Sequence, residues 1–226
     1  MRPLIFLGTS LQLCEFLEIC DRVKQPVVGI IDKDYYGNTQ SQEGVPFIAA
    51  EDTADFAQLK KEHDFFIGVN PLPPPNPPRN RERRKMFIDL VNQHQLRCAN
   101  LIDPETRIYR NVTLGQGIFI AYTAVLGAHT EVGDHTQICA ATGIGHNTKI
   151  GSNVIIQRQS AVISHATIGD NVWMGIQAKC LKPDYMQVGA DSMIHPGVTV
   201  MRDVEPGEVI SLVGKNTRKI YNTVVE

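Results

Sequence analysis

From Ile108 onward an aliphatic side chain returns at every sixth position: Ile108, Leu114, Ile120, Leu126, Val132, Ile138, Ile144, Ile150, Ile156, Val162, Ile168 and Met174. With aliphatics at roughly a third of positions, twelve consecutive hits in one frame arise by chance on the order of once in half a million. The next residue is often glycine, as at Gly115, Gly127, Gly133, Gly145, Gly151, Gly169 and Gly175. The residue four positions on is small or β-branched, as at Ala124, Thr130, Thr136, Thr142, Thr148, Ser160 and Ala178. A period of six fits neither an α-helix nor an ordinary strand and marks a hexapeptide β-helix. Each hexad is expected to form one side of a triangular coil, with the aliphatic side chain inside. Three hexads make one coil, and coils stack at the strand spacing of ~4.8 Å. Glycine is expected at the turn because other residues would be strained there. The frame is expected to break after Met174: Cys180 fills the next slot, residues 183–187 form a bulge, and the repeat resumes two residues late at Val188, Ile194 and Val200. The segment from Glu205 is expected to cap the last coil.

The first hundred residues follow other periods. Leu4–Leu7 is an apolar run ending at Gly8; Leu13, Phe16, Leu17 and Cys20 fall at helical spacing; Val27–Ile31 is a β-branched run ending in Asp32. Residues 65–69 read as a further strand, residues 71–78 as a proline-rich loop, and Phe87, Leu90, Val91 and His94 as one helix face. Repeated β-α-β order predicts a small parallel sheet with right-handed crossovers. The chain therefore divides into an α/β domain over residues 1–100 and a β-helix over residues 101–226. The five cations within residues 79–85 read as a solvated helix start.

Composition narrows the function. A net charge of −2 leaves no footprint for nucleic acid. No apolar stretch reaches the ~18 residues of a membrane span, and the opening apolar run is too short for a signal peptide. The five cysteines are scattered without a CxxC pair, which fits a reducing, cytoplasmic location. No metal site is expected. A β-helix carbonic anhydrase needs three zinc-binding histidines, whereas His129 and His135 lie six apart on different faces.

Several stretches taken together resemble a known family: residues 27–34, 43–48, 66–70 and 101–104, and above all Gly145-His-Asn-Thr-Lys-Ile-Gly. From residue 3 to about residue 219 the chain is similar to the sugar O- and N-acetyltransferases of the sialic-acid and bacillosamine type. These pair a Rossmann-like nucleotide-sugar-binding domain with a left-handed β-helix. The resemblance implies a cytoplasmic homotrimer that uses acetyl-CoA to acetylate an amino sugar on a nucleotide, in lipopolysaccharide or capsule synthesis.

It also implies roles for particular residues. His146 matches the general base, and an imidazole suits that task because it titrates near neutrality. Asn147 stands where an acidic residue often orients the base. The backbone N–H of Ser164, one coil on, matches the oxyanion donor, at a place usually held by glycine. His165 matches a histidine that contacts substrate in the similar lipid A acyltransferases. Gly175 and Ala178 would let pantetheine approach, and Arg202, Lys215, Arg218 and Lys219 would meet the phosphates of coenzyme A. In the first domain Gly8, Thr9 and Ser10 occupy the phosphate turn, with Ser10 able to cap the helix. Asp32 and Asp34 stand where an acidic side chain grips a ribose or base edge, and Gly68 and Asn70 match the base-contacting turn. Two other readings remain open: O-acetylation of a sugar such as sialic acid, and a catalytically inactive scaffold. Asn147, the altered phosphate turn and Gln157-Arg-Gln-Ser feed the scaffold reading, and Asn216 stands where the family commonly has proline.

Overall fold

The computed structural model describes residues 1–70 and 79–211. The chain forms two compact units, Met1–Leu101 and Ile102–Glu226.

In the first unit the elements run β1 (Leu4–Leu7), α1 (Leu13–Val23), β2 (Val27–Ile31), β3 (Ser41–Gln42), β4 (Val45–Ala49), α2 (Phe56–Glu62), β5 (Asp64–Ile67) and α3 (Arg79–His94). The sheet order is β3-β4-β2-β1-β5. β1 pairs in parallel with β2 and β5, and β2 with β4. The expected all-parallel sheet is corrected at one edge, where β3 pairs antiparallel with β4. Glu43 and Gly44 both take positive φ, 49° and 79°, and reverse the chain in two residues as a tight hairpin requires. β1 is wholly buried, so its residues alternate between two apolar layers. Phe6 packs with Phe16 of α1 and with Phe66, at centroid distances of 6.1 and 5.9 Å. Ile5 and Leu7 join Phe56, Phe65, Phe87 and Val91 in the opposite layer.

The second unit is a solenoid of two-residue strands in three parallel columns. One column runs from Arg107–Ile108 to Thr199–Val200, a second from Thr113–Leu114 to Gln187–Val188, and a third from Leu101–Ile102 to Val209–Ile210. As far as Cys180, strands pair with those 18 residues away, as Leu126 with Ile144 and Ile144 with Val162, and the pairs that follow are 20 or 16 residues apart. The second residue of nearly every strand is the periodic aliphatic, and from Ile120 onward these positions form one continuous buried core against which Ile102 and Leu114 pack, while Ile108 stays exposed. The buried hydroxyls four positions on have a second task. Thr136 Oγ1 donates to the Gly151 carbonyl at 2.8 Å, Thr148 to Ile163 at 3.2 Å and Ser160 to Gly175 at 3.0 Å. Each thus satisfies a carbonyl of the next coil that the ladder leaves over.

The reason for glycine differs from expectation. The left-handed position in each hexad is two residues later and is held by residues such as Asn111, His129, Asn147, His165 and Asn171, with φ of 53–62°. Gly127 and Gly145 are instead required by close approach. A Cβ on Gly127 would sit 2.5 Å from the His146 nitrogen, and one on Gly145 would strike the backbone of Ser164.

The frame also lasts one hexad longer than expected. Cys180 is fully buried in the core and pairs with Val162 and Val200. The added residues fall between Cys180 and Val188. Among the described residues, no helix is long and apolar enough to cross a membrane.

Candidate functional site

One corner of the solenoid gathers the residues singled out for chemistry. Asn111, His129, Asn147, His165 and Tyr185 occupy its left-handed positions on successive coils. Backbone bonds fix their stacking: the Asn147 N–H donates to the Ala128 carbonyl and the His165 N–H to the His146 carbonyl, both at 2.9 Å. His146 and His165 are exposed, and their rings meet edge to face with centroids 4.9 Å apart. Tyr185 continues the line, 5.8 Å from the His165 ring. Sequence reasoning missed Tyr185, which its position twenty residues after His165, the coil repeat plus the two-residue insertion, places on this corner.

Asn147 touches His146 directly, with Nδ2 2.8 Å from Nδ1. With the amide nitrogen donating, Nδ1 accepts and the neutral ring carries its proton on Nε2. A half-turn of the amide presents Oδ1 instead; Nδ1 then donates, and Nε2 keeps a free lone pair able to take a proton.

The third partner is a backbone group. At the same place in two hexads a carboxylate on the next coil takes up the turn N–H: Gln116 donates to Asp134 Oδ1 at 2.8 Å and Ser152 to Asp170 Oδ1 at 2.7 Å. The Ser164 N–H has no such acceptor among the described residues. It is a fixed donor one coil above His146, on a scaffold that cannot relax away from it.

The expected cofactor residues fare differently. Ala178 is fully buried in the solenoid core, so its methyl group lines no surface groove, which corrects that expectation. Gly175 is small because a Cβ there would meet Pro196 at 2.5 Å, a demand of coil stacking rather than of a ligand. Arg202 is already engaged: its guanidinium holds Glu208 through bonds of 3.0 and 2.6 Å, and that carboxylate holds the arginine's pKa above its usual value. Lys215, Asn216, Arg218 and Lys219 lie outside the described residues.

In the first unit, Gly8 takes φ +69°, and a Cβ there would collide with Phe87 and Val69. Gly68 is equally constrained, since its Cβ would meet the Gly8 carbonyl. The loop hydroxyls are used internally. Thr9 Oγ1 donates to Gln42 Oε1 at 2.9 Å, and Ser10 Oγ donates to the Gly68 carbonyl at 2.8 Å. Ser10 does not cap α1; its hydroxyl accepts from the Gln12 N–H at 3.3 Å, one turn early. Asp32 is fully buried and takes three donors: the Thr9 N–H, the Asp34 N–H and Arg83 Nη2 at 2.7 Å. It braces the loop, and Asp34 is the carboxylate still partly open to solvent. Asn70 donates to Gln12 Oε1, while its own Oδ1 is buried without a partner among the described residues.

The basic start of α3 is corrected from a solvated segment. Arg83 is the partner of Asp32, and Arg84 is 1% exposed, donating to the Val69 carbonyl at 2.7 Å. Burial pushes the Arg84 guanidinium down to about 10. Among the described residues no group of histidine, cysteine or carboxylate side chains could hold a metal ion.

Fold and site thus define a parallel solenoid of hexapeptide coils that carries two imidazoles and a free backbone donor on one corner. The sequence matches no family model and no curated protein. Solved structures share the fold across nearly the whole chain. A variant of perosamine N-acetyltransferase from Caulobacter crescentus, in complex with CoA and GDP-perosamine, is 19% identical, with 92% of this chain and 93% of that chain covered and a TM-score of 0.78. The acetyltransferase domain of PglB from Neisseria gonorrhoeae, in complex with acetyl coenzyme A, is 19% identical over 92% and 95% of the two chains, with a TM-score of 0.77. WeeI from Acinetobacter baumannii is 16% identical over 92% and 96%, also at 0.77. At such identities the likeness is one of fold.

Proposed function

We propose that this chain transfers the acetyl group of acetyl-CoA to the amine of an amino sugar carried on a nucleotide. The observation that carries the reading is the His146 corner: an exposed imidazole with a side-chain partner on Nδ1, and an unused backbone N–H one coil away. In this reading the β-helix is left-handed and the chain works as a cytoplasmic homotrimer, with coenzyme A beside the corner. Cys20, Cys98, Cys139 and Cys180 are buried and form no disulfide, which suits a reducing compartment. The first unit serves as a Rossmann-like nucleotide-sugar-binding domain, with Asp34, Gly68 and Asn70 nearest the nucleotide. The fold shared with a structure holding CoA and GDP-perosamine supports this choice of substrates.

The chemistry follows from the groups present. The sugar nitrogen attacks the thioester carbonyl while His146 Nε2 takes its proton. The C–N bond forms, the carbonyl oxygen becomes an oxyanion, and the Ser164 N–H stabilises it. Collapse breaks the C–S bond, and the proton on His146 goes to the departing thiolate of coenzyme A. Asn147, turned to present Oδ1, keeps the ring in the tautomer that can act as base. His165, against the His146 ring, contacts the acceptor. Lys215, Arg218 and Lys219 supply cations for the phosphates of the cofactor.

The test is thiol release from acetyl-CoA in the presence of nucleotide-linked amino sugars. His146→Ala is expected to lower turnover at least about a hundredfold with an unchanged circular dichroism spectrum. Retained turnover in that variant would place the base elsewhere, and a wild type that never binds coenzyme A would leave the scaffold reading standing.

A further inference from the structure

The two-residue insertion that interrupts the hexad frame is built, not slack. Its ends are tied to one carboxylate: Lys182 Nζ lies 2.9 and 2.8 Å from the two oxygens of Asp203, and the Gln187 N–H donates to Asp203 Oδ1 at 2.8 Å. Met186 is fully buried in the core and pins the returning chain. Between these anchors Asp184 and Tyr185 both take left-handed backbone, φ 63° and 48°, a conformation that non-glycine residues rarely adopt in succession. The result is a tyrosine 71% exposed to solvent, yet held 5.8 Å from the ring of His165, which itself abuts His146.

We propose that Tyr185 is a platform for the sugar ring of the acceptor. The open side of its ring offers the apolar, electron-rich surface on which the C–H face of a pyranose packs. A protonated amine on the same sugar gains from that ring as well, before it gives up its proton. His165, between Tyr185 and His146, supplies ring nitrogens for a sugar hydroxyl. The insertion thus brings an aromatic surface to the corner, held beside His165. The identity of the ligand rests on the acetyl-transfer reading above; the existence of the platform rests on the geometry of the insertion.

The experiment is calorimetric binding to the whole chain, comparing GDP, UDP and CMP with the corresponding amino-sugar nucleotides, GDP-perosamine included. The ratio of the two dissociation constants isolates what the sugar contributes. The wild type is expected to favour one sugar nucleotide over its bare nucleotide at least tenfold. Tyr185→Ala is expected to bring that ratio close to one with nucleotide affinity unchanged, while Tyr185→Phe keeps it. Asp203→Ala, which removes the acceptor that ties both ends of the insertion, is expected to fall between. A ratio that is unchanged in Tyr185→Ala, or already one in the wild type for every pair, overturns the platform. Turnover with acetyl-CoA separates the two readings: sugar-dependent binding that Tyr185→Ala abolishes, with no acetyl transfer by the wild type, sinks the proposed reaction and leaves the platform in place.

Discussion

The side-chain amide of Asn147 lies 2.8 Å from Nδ1 of His146 and thereby decides which nitrogen of that ring is free. An amide turns either way, whereas a carboxylate only accepts. Asn147→Asp should hold the proton on Nδ1 and favour the imidazolium, because an opposite charge at this distance stabilises the protonated ring. The acid side of the pH–rate profile is expected to differ from that of the wild type. Turnover at pH 8 should rise about threefold or more. Asn147→Ala should lower it by about tenfold. Profiles of the three proteins side by side check the assignment; superimposable curves would remove Asn147 from the mechanism.

Gly145 and Gly143 make a matched pair. A Cβ on Gly145 meets the Ser164 backbone, whereas a Cβ on Gly143 meets nothing within 4 Å. Gly145→Ala should cost about 1–3 kcal/mol, as overpacking does, and displace the proposed oxyanion donor. Gly143→Ala should be nearly neutral. Thermal melts and turnover of both variants give the comparison, with the loss confined to position 145.

Thr130 is fully buried, and its hydroxyl donates to the Gly127 carbonyl at 2.8 Å and approaches that of Gly145 at 3.2 Å. Thr130→Val keeps the shape and strands those acceptors. Chemical unfolding is expected to show a loss of about 1–3 kcal/mol.

The thiols offer a count. Burial pushes Cys20 and Cys180 up to about 12, so neither forms appreciable thiolate near neutrality. Cys98 and Cys139 are buried as well, and Cys14 alone is exposed. A thiol-specific reagent at pH 8 should label Cys14 promptly in the native chain, and all five positions only after denaturation.

Asp203 supplies a pH-dependent contribution. The hydrogen bond from Lys182 holds its carboxyl below the ordinary range. A depressed folded pKa means stability that is complete above the unfolded carboxyl value of about 4 and fades as pH falls through the lower folded value. The stability difference between wild type and Asp203→Asn should therefore be flat near neutrality and shrink below about pH 4. A difference that grows on acidification would contradict the assignment.

The solenoid register was legible because each hexad turns the second residue of its strand into the core, a constraint that leaves its mark at every sixth residue. β1, β2 and α1 were legible for the related reason that runs of apolar residues at period two or 3.6 have few alternatives. What the sequence concealed depends on distant partners. Nothing near Arg83 announces that Asp32, 51 residues earlier, will bury it, and nothing near Arg84 announces the Val69 carbonyl. Ala178 and Gly175 were misjudged because small size suits both a ligand groove and a close coil contact, and only the neighbouring coil tells them apart. Tyr185 was missed because the insertion looks like an interruption until the coil count places it above His165.

The interlocking of hexads restricts how this chain can change in length. Removing a single residue from the middle of the solenoid would turn every later aliphatic outward and every later polar side chain inward. Removing a whole coil would rejoin matching edges and merely shorten the stack. Natural or engineered variants should therefore differ in units of 18 residues, with other lengths admitted only where, as between Lys182 and Gln187, the chain is clamped at both ends around the added residues.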